Sequence, residues 1–158
     1  MITSRCPAVA FLTWFVCSGL LAVQMAGVRV RLFYFKTGKP VAREQIALYL
    51  GEASRASTPK LEATTSSDGV AVFRLAEPFP KAVWVYTENG RMEGCAVEGL
   101  IPFDDVMRQG VTIGVDNEEG FRGGVCKGDR SAIKRLGAKP GEIVMFVRKL
   151  SIWEKMQN

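Results

Sequence analysis

Histidine is absent from the chain. Its absence excludes imidazole acid–base catalysis, Ser-His-Asp and Cys-His nucleophile activation, and imidazole metal ligation. Sixteen glycines and seven prolines in 158 residues are too few for a low-complexity or collagen-like chain. The sequence contains no GxSxG, GxGxxG or GxxxxGK[ST] string, so a serine-hydrolase elbow and the common phosphate-binding loops are also excluded. There is no internal repeat and no second domain boundary. What remains is an ordinary globular composition, 47% hydrophobic and 23% charged, of a length suited to one domain, or to one domain plus a targeting segment.

The longest stretch without charge runs from Cys6 to Val28, 23 residues, behind Arg5. It holds the apolar run Ala8–Val23, followed by the small residues Ala26 and Gly27. A basic start, an apolar core and small residues at its end form the pattern of a secretory signal over residues 1–26. At about 1.5 Å per residue, residues 6–28 are also long enough to span a bilayer, so an uncleaved N-terminal anchor stays open beside cleavage. Cleavage after Ala26 leaves one domain, residues 27–158, and removes one arginine, so its net charge is +4 instead of +5. That excess is scattered, and nucleic acid is not expected as a partner.

Cys6 and Cys17 lie within the signal; Cys95 and Cys126 lie beyond it. Two cysteines in an oxidising compartment, without a CxxC spacing or a histidine to lower a thiol pKa, predict a structural disulfide. It closes a loop of 31 positions. A metal site is not expected, because two thiolates without imidazole leave the coordination shell incomplete.

Beyond residue 27 the patterning is β. Val28, Val30 and Leu32 alternate with Arg29 and Arg31, and Lys36–Pro40 has turn chemistry. Strands are predicted over 28–35, 44–50, 62–66, 70–75, 82–87, 91–97 and 142–150. Asp68-Gly69 and Asn89-Gly90 are tight-turn signals between such runs and predict hairpins. Phe103–Arg108 predicts two turns of helix ended by Gly110; residues 114–130 read as an irregular excursion, and 151–158 as a short amphipathic turn. Short strands with frequent turns predict an all-β, antiparallel sandwich of about seven strands.

The strings Gly38-Lys39-Pro40-Val41, Ile46-Ala47-Leu48, Thr64-Thr65 and Asp68-Gly69-Val70-Ala71-Val72-Phe73 resemble the carboxypeptidase regulatory-like domain over about residues 28–87. The resemblance implies a transthyretin-like (prealbumin-like) sandwich, and a module that aids folding, attachment or ligand contact instead of catalysing a reaction. Relatives of that shape that act on hydroxyisourate or cleave catechols rely on histidines, which this chain lacks.

The remaining clusters have plain structural readings. Asp104-Asp105 are neighbours on a helix, too divergent to share a proton, and suit the helix N-terminus. Asp116, Glu118 and Glu119 lack the spacing of a calcium loop. Three strand segments, Leu32–Phe35, Val83–Tyr86 and Ile143–Val147, are apolar on both faces, whereas a two-layer sandwich buries one face per sheet. Either the excursion 98–140, pinned by Cys95–Cys126, and the tail around Trp153 cover the second face, or Trp84 and Tyr86 form an exposed aromatic platform. The sequence therefore predicts a non-enzymatic module, without cofactor or catalytic residue, in the periplasm or secreted. It would contact a protein or polysaccharide of the envelope, and the membrane only if residues 6–28 are retained. The alternatives are a carbohydrate-binding module using Trp84 and Tyr86, and a thiol-disulfide protein using Cys95 and Cys126.

Overall fold

The computed structural model describes residues 25–51, 58–88, 92–95, 99–114, 126, 131 and 135–151. Nearly all of the 1–26 signal, Asn89-Gly90, Asp116, Glu118, Glu119, most of the 114–130 excursion and the 152–158 tail with Trp153 lie outside the described residues. In chain order the strands are β1 (Met25–Tyr34), β2 (Gln45–Leu50), β3 (Lys60–Thr64), β4 (Val70–Ala76), β5 (Ala82–Thr87), β6 (Met92–Gly94), β7 (Ile101–Pro102), β8 (Val111–Ile113) and β9 (Glu142–Lys149), with one helix, α1 (Phe103–Arg108), before β8.

Two sheets stack as a β-sandwich. The first has the order β4-β1-β9-β6, with β8 also paired to β9; the second has the order β3-β2-β5-β7. The all-β sandwich expectation therefore holds, with two differences. The described residues contain nine strands, because β7 and β8, two and three residues long, are too short to leave a period in the sequence. The sheets are also not wholly antiparallel, since β9 runs parallel to both β1 and β8.

The core between the sheets follows the period of two. Val28, Val30 and Leu32 of β1 and Ile143, Met145 and Val147 of β9 face Ile46 and Leu48 of β2 and Val83 and Val85 of β5. Ala71, Phe73 and Leu75 of β4 complete that layer, while Val72, Arg74 and Ala76 alternate to the outside. Helix α1 closes one end by burying Phe103 and Val106. Asp104 and Asp105 lie in its first turn and Arg108 in its last, each complementing the helix dipole. The chain leaves α1 at Gly110 (φ +75°), where a Cβ would stand 2.2 Å from the Lys139 carbonyl oxygen. Only glycine fits that approach.

The two hairpin expectations are corrected. Asp68-Gly69 does make a tight turn: Gly69 N–H donates to Ser66 O (3.0 Å) and Ser66 N–H to Val70 O (2.9 Å). The strands on either side belong to different sheets, however: β3 pairs with β2 and β4 with β1. The Asp68-Gly69 turn therefore carries the chain from one sheet to the other, and β5 and β6, which flank Asn89-Gly90, likewise stand in different sheets.

Gly69 is the pivot of the first crossing. Its carbonyl accepts from Leu32 N–H (2.8 Å), its φ is +71°, and a Cβ would lie 2.7 Å from Leu32 O. Gly69→Ala is expected to lower stability by about 2 kcal/mol or more, through left-handed strain and displacement of β1. A urea midpoint that does not move would show that the turn is not docked on β1.

Candidate functional site

The sequence points to two places where chemistry or binding would reside: the aromatic face carrying Trp84 and Tyr86, and the Cys95–Cys126 pair. Each lies on the outer face of one sheet.

On the second sheet, the alternation that turns Ile46, Leu48, Val83 and Val85 inward turns Ala47, Tyr49, Trp84 and Tyr86 outward. The antiparallel register sets Tyr49 opposite Trp84 and Ala47 opposite Tyr86. The Tyr49 and Trp84 ring centroids are 4.4 Å apart, an attractive tilted pair. Tyr49 carries no motif of its own, but it follows the inward-facing Leu48 in QIALYL, and strand alternation marks it as outward-facing.

A polar rim borders the rings. Lys60 Nζ lies 2.6 Å from Glu62 Oε1 and 3.2 Å from Glu88 Oε1, and 5.9 Å from the Tyr49 ring centroid. The Tyr49 hydroxyl donates to Glu88 Oε1 (3.2 Å), and Gln45 Nε2 donates to Glu62 Oε2 (3.2 Å). Hydrogen bonds from Lys60 hold the Glu62 carboxyl below its ordinary range, and hydrogen bonds to Glu62 and Glu88 hold the Lys60 ammonium above its own. The lowered carboxylate stabilises the fold above its unfolded pKa and loses that contribution as pH falls through the folded one. The raised ammonium loses its share only at strongly alkaline pH. Lys60 and Glu62 therefore keep their charges through the neutral range, and water screens the pair because both side chains are exposed.

Trp84 itself is 9% exposed and Tyr86 is partly buried. The face is a packed aromatic patch with an ionic rim, and it offers little open ring surface for a sugar to stack upon.

On the first sheet, Phe33 of β1, Phe35 just past its end, and Val144 and Phe146 of β9 form a second buried cluster. Cys95, Cys126, Leu136 and Ala138 pack over them, so part of the 98–140 excursion covers this second apolar face. Cys95 and Cys126 form a disulfide, with their Cα atoms 5.0 Å apart. Cys95 N–H donates to Phe146 O (2.8 Å), which fastens the link to β9. Cys95 is wholly buried and Cys126 partly buried, which leaves at most one sulfur open to attack, and the bond packs on β9 as a structural link would.

Three other acidic residues are held in ion pairs. Asp104 pairs with Arg108 at 3.5 Å across one helical turn, with both side chains exposed. Glu93 pairs with Arg148, and Glu142 with Arg31 and Arg29. Among the described residues no group of three potential ligands gathers to hold a metal. The acidic residues at 116–119 and the glycine-rich 120–128 segment, apart from Cys126, fall outside the description.

With this geometry in hand, the class the structure defines is a disulfide-linked β-sandwich. No protein-family model, no curated protein and no solved structure matches the chain.

Proposed function

We propose that the chain is an exported, non-catalytic β-sandwich module of the transthyretin-like type that works by binding another component of the cell envelope or of the extracellular space. The observation that carries this reading is the Cys95–Cys126 disulfide, buried at one end and laid across the outer face of β9. Such bonds persist in oxidising compartments, and the charge-free run Cys6–Val28 supplies a route there. The domain is released after Ala26 or stays anchored by residues 6–28.

The likeness to the carboxypeptidase regulatory-like domain supports the module type. Its strings fall on the turn after β1, on β2, on the end of β3, and on the crossing turn with β4. Burial of Trp84 argues against a sugar-stacking platform, and burial of Cys95 against redox exchange.

Expression of the full chain in a Gram-negative host tests the reading. Cys95 and Cys126 are expected to resist alkylation unless reductant is added, and the domain to be digested by protease in spheroplasts. Free thiols on a chain recovered from the cytosol would sink the proposal.

A further inference from the structure

The outer face of the first sheet is divided. Cys95, Cys126, Leu136 and Ala138 pack over β9 and the Phe33 end of β1, while Met25, Gly27 and Arg29 of β1 and Val72, Arg74 and Ala76 of β4 are exposed. Register sets Met25 opposite Ala76, Gly27 opposite Arg74, Arg29 opposite Val72 and Arg31 opposite Val70, all on that outer face. Met25 is 58% exposed and Val72 54%; with Leu100 they are the only exposed large apolar side chains among the described residues.

Arginines stand between them. The Arg29 side chain is 63% exposed and reaches Glu142 only at 4.0 Å. Arg31 holds that same carboxylate at 3.4 Å. Arg74 is exposed and has no ion-pair partner among the described residues. Glu142 is shared by Arg29 and Arg31 and lies nearer Arg31, so the exposed Arg29 and Arg74 guanidinium groups are the ones turned to an outside anion. The charge-free run Cys6–Val28 ends on the same strand, immediately before Arg29.

We propose that the β1–β4 face lies against an anionic phospholipid surface, with Arg29 and Arg74 on lipid phosphates and Met25 and Val72 reaching past the headgroups. A guanidinium fork matches a phosphate, and apolar tips among cations match the boundary between headgroup and acyl chain. An acidic polysaccharide fits less well, because the ring beside these residues, Phe33, is buried and cannot stack on a sugar, and the apolar tips would find no counterpart. Cleavage after Ala26 removes Met25 but leaves Arg29, Val72 and Arg74 in place, so the arginine contact goes beyond a membrane role that depends on residues 6–28. It rests on the exported module proposed above only for which membrane is met.

Sedimentation of the full chain with vesicles tests the face directly. Vesicles of phosphatidylcholine alone are compared with equimolar phosphatidylcholine and phosphatidylglycerol. The apolar run binds both compositions alike, so the ratio of affinities reads the arginines. At about fivefold for each arginine near an anionic surface, the wild type is expected to prefer anionic vesicles by roughly 25-fold, less at high salt. R29Q/R74Q is expected to bring the ratio to within a few-fold of one, with an unchanged melting curve. K36Q/K39Q, which removes equal charge at the far end of β1, is expected to leave it intact.

An equal affinity for both vesicles overturns the proposal, as does a preference that survives R29Q/R74Q or falls equally in K36Q/K39Q. Capture by dextran sulfate without a vesicle preference would assign the face to a polysaccharide instead. None of these failures would alter the thiol and protease results that test export.

Discussion

Replacing Phe146 with alanine is expected to lower stability by about 3–5 kcal/mol, the range for removing a buried aromatic ring. Phe146 is among the largest fully buried side chains, yet it points away from the core between the sheets. Its ring centroid lies 6.2 Å from that of Phe33, and Cys95 packs in the same cluster. The strand beneath it pairs with β1 on one side and with β6 and β8 on the other. Neighbouring backbone therefore cannot collapse into the space without disturbing ladder hydrogen bonds, which places the cost high in the range. For a chain of this size the melting midpoint should fall by roughly 10–15 °C. Val72→Ala, on an exposed site of the same sheet, should stay within about 0.5 kcal/mol of wild type. A Phe146→Ala loss below about 1 kcal/mol would mean that the outer face of β9 is not a packed layer.

The second large effect is expected from the disulfide. Its partners are 31 residues apart in sequence. Closing a loop of that length removes unfolded-state freedom worth about 3–4 kcal/mol. The pair Cys95→Ala/Cys126→Ala should lose at least that amount, because Cys95 is wholly buried and its sulfur also fills space beside Phe146. Urea unfolding with and without reductant measures the loss, and reduction of the wild type should reproduce most of it. A reduced protein with an unshifted midpoint would show that the link does not hold the excursion to the sheet. The two changes fall in one cluster, so Phe146→Ala combined with loss of the disulfide should cost less than the two effects added.

Much of this architecture is legible in the residues. VRVRL, QIAL and VAVFRL alternate so cleanly that the faces of β1, β2 and β4 follow directly, and apolar residues on both faces of EIVMFV already require a cover outside the sandwich. The helix at Phe103–Arg108 is marked by its acidic first turn and by the glycine beyond it. Partner choice is not marked. Asp68-Gly69 dictates a turn, since its second residue takes positive φ, but says nothing about whether the next strand pairs back or crosses. The strand that sits beside β1 in parallel is β9, from the far end of the described residues, and no local period records that.

The candidate surfaces divide in the same way. Trp84 and Tyr86 stand out in the sequence, yet their exposure depends on Tyr49 and on the Lys60–Glu62–Glu88 rim, which only strand register assembles. Arg29 and Arg31 alternate visibly, whereas Arg74 joins them only because β4 pairs antiparallel with β1.

By itself, the order of residues determined the longer strands, the face each of their side chains takes, the cysteines available to bond and the chemistry that lacking histidine rules out. These are properties of neighbours along the backbone, fixed by the two-residue repeat of extended chain and by side-chain type. Only the tertiary structure decided which strands share a sheet, which outer face is covered and which arginines stand together. Those outcomes depend on burying the most apolar area among segments far apart in sequence, a comparison that no short stretch of the chain contains.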